Sequence, residues 1–452
     1  MTTIFAEQAL LSDGWANDVR ITIGNDGTIT NIETGASAQA GDDRHSVLLP
    51  TVANLHSHAF QRAMAGLAER RGPQIDTFWT WREVMYHHAL TMTPEHVEAT
   101  AAMLYAEMLE AGFGRIGEFH YLHHAEDGTP YANLAEMAER IGAAANTTGI
   151  RLTLLPVLYA HATFGGAAPT DGQRRFINDV DGFARLLESS QKAVESLPQV
   201  RIGIAPHSLR AVTPDDLQAI LPLAGDNPIH IHAAEQVKEV EDCLAWSGKR
   251  PVEWLLENAD LDQRWCLIHA THMTDAEAAG LARAGSVAGL CPITEANLGD
   301  GIFSGPTFAA NGGRWGVGSD SNILIGLSDE LRQFEYAQRL GNRARNVMAR
   351  GEGSTGRALF EAALAGGAQA LAAPTPGITA GGQADFFSLH LSSPTFEGKR
   401  GNALIDAFIF AGAGRPDCVW IGGSKVVAQG RHVGREAIEK RFRAAMKELA
   451  EG

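Results

Sequence analysis

Eight short apolar runs, at residues 51–55, 117–120, 151–159, 200–205, 229–233, 265–269, 286–290 and 315–318, alternate with longer helical stretches. No other feature restricts the chain as much. An apolar run of this length, bounded by turn residues, reads as a strand buried on both faces. Strands of that kind are parallel and covered by helices. Eight such units are the number that closes a (β/α)8 barrel. The predicted fold class is therefore α/β, a TIM-like barrel. In such a barrel the C-terminal ends of all the strands converge on one rim, and the chemistry sits there.

Imidazole and carboxylate side chains stand at those ends. His56-Ser-His58 follows the first run, His232-Ala-Ala-Glu235 closes the fifth, His269 ends the sixth and Ser319-Asp320 follows the eighth. With 17 His in the chain, an accidental His-x-His is expected roughly 0.6 times. The sequence has two, His56/His58 and His230/His232, so one alone means little. Order and placement carry the weight. Alternate residues on a strand face one side, so His56 and His58 project together. With His232 and Asp320 they make four nitrogen and oxygen ligands for one divalent metal. Zn2+ suits them best, and Fe2+ and Mn2+ are alternatives by ligand type. A cation held this way brings the pKa of a water it binds toward about 7, which points to metal-assisted hydrolysis. Glu235, three residues past His232, is placed to carry a proton. His269 either binds the metal or orients the nucleophile and polarises the reacting group. His230 lies one layer below His232 and reads as an interior barrel residue.

Bulk properties narrow the partners. A chain of 452 residues fits a barrel plus a smaller unit. A net charge of −16, with no Lys/Arg block, argues against nucleic acid. It does not argue against an anionic small molecule held by a few local arginines. The four cysteines, Cys243, Cys266, Cys291 and Cys418, show no Cys-x-x-Cys spacing and read as core thiols of a reducing compartment. The first residues lack a basic region followed by a long apolar one, and no apolar stretch approaches a membrane span. A cytoplasmic protein without a membrane partner is expected.

Both chain ends have a different texture. Residues 1–48 read as short strands, with Asn25-Asp-Gly27 a hairpin turn. Beyond residue 375, the stretches 384–389, 407–411, 419–421 and 425–428 are strand-like. The expected division is a small β-sandwich domain from residues 1–48 and 375–433, a barrel over 49–374, and a C-terminal helix over 434–452. That charged helix is a surface element or an oligomer contact, and a homodimer is expected. Thr93-Pro94-Glu95 starts a helix that Gly112 stops.

Longer strings extend these single positions. They are Asn54-Leu-His-Ser-His-Ala-Phe-Gln-Arg62, Phe78-Trp-Thr-Trp-Arg82, Glu118-Phe-His-Tyr-Leu122, Ala205-Pro-His-Ser-Leu-Arg210, Ile229-His-Ile-His-Ala-Ala-Glu-Gln236 and Gly318-Ser-Asp-Ser321. Together they resemble the amidohydrolase superfamily in its mononuclear deaminase branch, along nearly the whole chain. Binuclear relatives commonly use a modified lysine on the fourth strand. Here that strand, 200–208, has none, so a single metal is implied. The resemblance implies a deiminase acting on a small dicarboxylate with an amidine-like head. N-formimidoyl-L-glutamate would go to N-formyl-L-glutamate and ammonia, in histidine degradation. It implies that Arg82 and Arg210, in loops after the first and fourth strands, hold the glutamate portion by bidentate pairing. Gln61 and Tyr121 would hydrogen-bond an imine nitrogen or a carboxylate, or act as props. His207 is a further binder, and Trp79 and Trp81 wall the pocket or simply pack. Asp320 and His269 would assist proton removal, and Glu235 would protonate the departing nitrogen. The alternative is an aminohydrolase of a purine, pyrimidine or triazine ring.

Overall fold

The computed structural model describes every residue except Met1, Gln74, Thr375, Ala413 and Gly452. The barrel strands are Val52–Ser57, Phe113–His120 and Arg151–Leu158, a fourth in two pieces (Arg201–Ile202 and Ala205–Pro206), then Ile229–Ala233, Trp265–His269, Val287–Leu290 and Arg314–Val317. Neighbours pair in parallel within each half. The halves join through the bridges Ile204–Ile229 and Ser208–His232 on one side and Ser57–Asp320 on the other. The eight-strand α/β barrel expected from the apolar runs is borne out. Every residue of the first three strands is buried, as strands covered on both faces must be.

Two close approaches explain local details. The fourth strand breaks at Gly203, where an added Cβ would stand 2.4 Å from the carbonyl oxygen of Pro228. Only glycine lets the fifth strand's lead-in pass so near. Helix Thr355–Ala370 packs on the first and eighth strands. A Cβ at its Gly366 would lie 1.9 Å from the oxygen of Trp315.

The expected β-sandwich is one eight-stranded sheet curled on itself, with strands from both chain ends. It carries Thr2–Leu11, Gly14–Ile23, Ile29–Glu33 and Asp43–Pro50 beside Phe386–Leu389, Pro416–Ile421, Ser424–Ala428 and Arg431–His432. The curl brings Thr28 to Gln383 in an isolated bridge and encloses Ile4, Ile21, Ile29, Leu48, Phe386 and Trp420 in a core of its own. Asn25-Asp-Gly27 does make the turn, with Gly27 at φ +78°. Residues 407–411 are not a strand but lie in and just beyond helix Asn402–Phe410. A five-residue apolar run has no period that separates a buried helix from a buried strand. Thr375, the expected domain boundary, lies outside the described residues.

The connection after the first strand builds the roof of the rim. It holds helix Phe78–Thr91 and then helix Pro94–Glu110, whose cap Thr93 accepts the backbone N–H of His96 at 3.3 Å. Arg82 therefore sits on a helix rather than in the loop that the sequence suggested. Among the described residues, no helix is long and apolar enough to cross a membrane.

Candidate active site

His56 lies near the end of the first strand and His58 just beyond it, His232 lies near the end of the fifth, and Asp320 follows the eighth. The barrel brings donor atoms of these four buried side chains within 4.8 Å of one another. The Nε2 atoms of His56 and His58 lie 3.4 and 3.3 Å from Asp320 Oδ1, and His232 Nε2 lies 3.2 Å from His56 Nε2. Two donors bonded at about 2.0–2.1 Å to one tetrahedral cation stand about 3.3 Å apart. The observed spacing matches that. Two imidazoles are also oriented for the task. His58 Nδ1 lies 3.0 Å from the carbonyl oxygen of Phe119, and His232 Nδ1 lies 3.0 Å from that of His207. A carbonyl only accepts, so each Nδ1 carries the proton and each Nε2 presents a lone pair. Burial pushes His56 down to about 3 and holds His232 well below the usual imidazole range, which keeps both neutral as metal ligands must be. The four side chains form a site for a single divalent ion, of the Zn2+ or related type.

His269 falls outside that cluster. Its Nε2 is 3.8 Å from Asp320 Oδ2 and 3.6 Å from Glu235 Oε1, and its Nδ1 is 3.3 Å from Glu295 Oε1. Burial opposes its positive charge, but these three carboxylates outweigh burial and push its pKa up to about 10. Glu235 is pushed the other way from an ordinary carboxylate. Burial raises it to about 7, against the pull of His269 and of Arg210, whose guanidinium is 3.8 Å away. Its backbone N–H and that of Ala234 both donate to the Glu239 carboxylate, which fixes the turn after His232. Several of these rim residues, Ala234, His269, Ala270, Asp320 and Asn322, have φ between +46° and +68°. Side-chain-bearing residues are held there only at a cost of order 1–3 kcal/mol each, a pattern concentrated at working sites.

The quartet opens into a cavity whose wall includes His58, His232 and Asp320. Gln61, Arg82, Tyr121, His207 and Arg210 all line it, together with Trp81 but not Trp79. Trp79 instead stacks with Arg82, whose guanidinium carbon lies 4.6 Å from the indole ring centre. The Arg82 guanidinium makes no hydrogen bond to another described residue, and Arg210 Nε is buried without a partner. Gln61 donates to the Tyr121 hydroxyl at 2.9 Å, and its own Oε1 is left without a donor. Burial, reinforced by Arg210, keeps His207 neutral. One end of the cavity is thus a metal site, and the other offers guanidinium groups with unused N–H donors.

The sequence profile of the amidohydrolase family matches residues 47–426, and that of the N-terminal domain of formimidoylglutamate deiminase HutF matches residues 1–46. The chain belongs to the amidohydrolase family. A formimidoylglutamate deiminase of Pseudomonas aeruginosa is 49% identical, over 99% of this chain and 100% of that one. The crystal structure of an amidohydrolase from Brucella melitensis is 60% identical and superposes with a TM-score of 0.97, over 100% of both chains. An adenosine deaminase from Xanthomonas campestris, solved with bound zinc, shares the fold. Its TM-score is 0.82 at 20% identity, over 100% of this chain and 99% of that one.

Around its quartet this amidohydrolase builds a brace that the sequence did not disclose. Asn54 donates to Ser319 Oγ at 2.7 Å and accepts the Ser319 N–H at 3.1 Å. Ser319 Oγ bonds Asn322 Oδ1 at 2.6 Å, and Asn322 Nδ2 reaches Ser57 Oγ and the His58 carbonyl at 3.1 and 3.0 Å. The network locks the first strand to the eighth, so His56 and His58 keep register with Asp320. The positions of Asn54 and Asn322, two residues from His56 and from Asp320, were the available signal. A second omission is Asp300. Its carboxyl clusters with Glu235 and His269, and burial beside Glu235 pushes it to about 9. Gln236 donates to one of its oxygens, and the other has no partner. Nothing near Asp300 in the sequence marks it.

Proposed function

We propose that this chain is a metal-dependent deiminase that hydrolyses N-formimidoyl-L-glutamate to N-formyl-L-glutamate and ammonia, as a step of histidine degradation. The observation that carries this reading is the polarity of the cavity. A metal quartet at one end faces two guanidinium groups, Arg82 and Arg210, with donors left unspent at the other. The substrate has the complementary halves, an amidine-like head and two carboxylates. The identity with the Pseudomonas aeruginosa formimidoylglutamate deiminase along both whole chains supports it.

When bound, the metal ion supplies Lewis acidity and makes a water it contacts acidic enough to give up a proton near pH 7. The chain's own groups do the rest. Arg82 and Arg210 pair with the carboxylates and set the formimidoyl carbon over the quartet. Gln61, Tyr121 and His207 fix the head and the near carboxylate. His269, held between Glu235 and Asp320, orients the attacking water. As water adds to the carbon–nitrogen double bond, Glu235 takes one of its protons and passes it to the terminal nitrogen, while Asp320 assists that removal and His269, pushed up to about 10 and so positively charged, holds the water in place. Glu235, with a pKa near 7, holds a proton and releases it with equal ease. It then carries the second proton, from the hydroxyl of the adduct, to the same nitrogen, which leaves as ammonia while the carbon–oxygen bond becomes a formyl carbonyl.

The test is ammonia release from N-formimidoyl-L-glutamate, guanine and cytosine, with metal content measured on the same preparation. Turnover of the first is expected. Turnover of a ring base and none of the first would overturn the reading. For the assembly we propose a homodimer. Ile302, Tyr336 and Leu340, exposed on and beside helix Leu327–Asn342, offer an apolar face for a second copy, and light scattering checks it. We also place the enzyme in the cytoplasm, a reading supported by four buried, unpaired cysteines. The division into a β domain of residues 1–48 and 375–433, a barrel of 49–374 and a helix of 434–452 is likewise proposed. Limited proteolysis reads it.

A further inference from the structure

Three side chains at the guanidinium end of the cavity are not accounted for by the mechanism above. Tyr86 and Tyr159 line the cavity, and their hydroxyl oxygens stand 3.4 Å apart. Gln173, 2% exposed, sits behind them. Its amide can be oriented in only one way. Oε1 accepts the backbone N–H of Thr170 at 2.8 Å and lies 3.1 Å from the Thr170 hydroxyl. Its NH2 must then face the tyrosines, and it donates to Tyr159 at 2.9 Å and to Tyr86 at 3.4 Å.

Each tyrosine oxygen already accepts from Gln173, so its own O–H needs an acceptor elsewhere. One hydroxyl can donate to the other. The second has no acceptor among the described residues, and both sit in the cavity wall. Loss of the Tyr159 proton is no remedy, because burial pushes that phenol above its usual value. The neighbours say what kind of acceptor belongs there. The Arg82 guanidinium lies 5.4 Å from the Tyr86 ring centre. The imidazole of His207 packs on Tyr159 at 4.4 Å and separates it from His232 of the metal quartet, 4.9 Å further along.

We infer that Tyr86 and Tyr159 donate to the substrate carboxylate farther from the reacting carbon, the side-chain carboxylate, and that Gln173 is the positioning residue that aims them. This rests on the substrate reading given above. It adds the group that distinguishes a side chain ending in a carboxylate from one ending in a methyl. Buried donors left unpaired by the wrong ligand are a strong source of such discrimination.

The experiment compares N-formimidoyl-L-glutamate with N-formimidoyl-L-norvaline, which keeps the head and the α-carboxylate and replaces the side-chain carboxylate by a methyl. Tyr159→Phe and the double change Tyr86→Phe/Tyr159→Phe should lower the glutamate/norvaline ratio of kcat/KM by about 10- to 100-fold, the size of a charge-assisted hydrogen bond, with most of the change in KM. Gln173→Leu should lower the ratio in the parent but by less than about 2-fold in the double-Phe background, since its effect runs through the hydroxyls. Losses of equal size on both substrates would overturn the inference, because a packing role does not distinguish a carboxylate from a methyl. So would a Gln173 effect that survives intact without the hydroxyls. A parent enzyme active on neither compound would overturn the substrate reading itself, a result seen before any variant is made.

Discussion

Glu235→Gln separates activity from stability in opposite directions. The parent carboxyl is 4% exposed and is held at about 7, against 4.5 in water, mainly by burial. A group whose folded value lies above its unfolded value favours the folded state fully below pH 4.5. It loses that contribution as pH climbs to about 7, because the unfolded chain sheds its proton first. The gap of 7 − 4.5 = 2.5 units corresponds to about 3 kcal/mol at about 1.4 kcal/mol per unit. Glutamine has the same shape and stays neutral. On metal-free protein, where no cation offsets the buried charge, the variant should therefore be more stable by about 3 kcal/mol above pH 7 and show no gain near pH 4.5. Activity should move the other way. Loss of a positioned proton carrier costs about 10²- to 10⁴-fold in kcat. Metal content should not change, since Glu235 is not one of the four ligands. The parent's kcat/KM should fall below pH 7 as the carboxylate is protonated, and that acid limb should vanish in the variant. Denaturant melts at the two pH values, ammonia release against pH and metal analysis read the three effects. Full turnover in the variant, or an acid limb that persists unchanged, would refute the assignment of Glu235 as proton carrier.

Arg210→Met should raise KM for N-formimidoyl-L-glutamate by about 10- to 100-fold, the worth of a charge-assisted contact, with metal content unchanged. An unaltered KM would place the clamp elsewhere. Asn322→Ala cuts the brace between Ser57, the His58 carbonyl and Ser319. It should weaken metal affinity by about 10- to 100-fold, read by competition with a chelator, and unchanged affinity would show that the brace serves folding alone. Gly366→Ala puts a methyl 1.9 Å from the Trp315 oxygen. It should destabilise by about 3 kcal/mol, read as a lowered denaturant midpoint, and a neutral result would mean that helix Thr355–Ala370 shifts more freely than its packing implies.

The barrel and its metal site were legible because both follow from local patterns with a fixed geometric meaning. An apolar run of about five residues is a strand buried on both faces. A ligand at its C-terminal end is then carried to the shared rim whatever the rest of the chain does. His56 and His58 were readable from strand periodicity alone, and His232 and Asp320 from their place after later runs. The same reasoning failed at 407–411, where burial erased the periodicity that distinguishes helix from strand. It also placed Arg82 in a loop, because Phe78–Arg82 carries no capping box of the Ser/Thr-x-x-Glu type. The cap there is Thr77 with Thr80, whose hydroxyl returns to the Thr77 N–H at 3.0 Å.

What stayed hidden is the set of groups that act through a partner distant in sequence. Gln173 matters only because the connection after the third strand carries it behind Tyr86, 87 residues earlier in the chain. Asp300 matters only because its carboxyl meets Glu235 and His269 from two other strands. Neither sits at a strand end, and neither belongs to a recurring spacing. Metal ligands are constrained by bond lengths of about 2 Å, so the barrel repeats their positions and a pattern results. Residues that read a ligand's far end need only complete a hydrogen-bond count, which many positions on several loops can satisfy. The reaction class was therefore accessible from order along the chain, whereas substrate choice depends on contacts that exist only once the rim has closed.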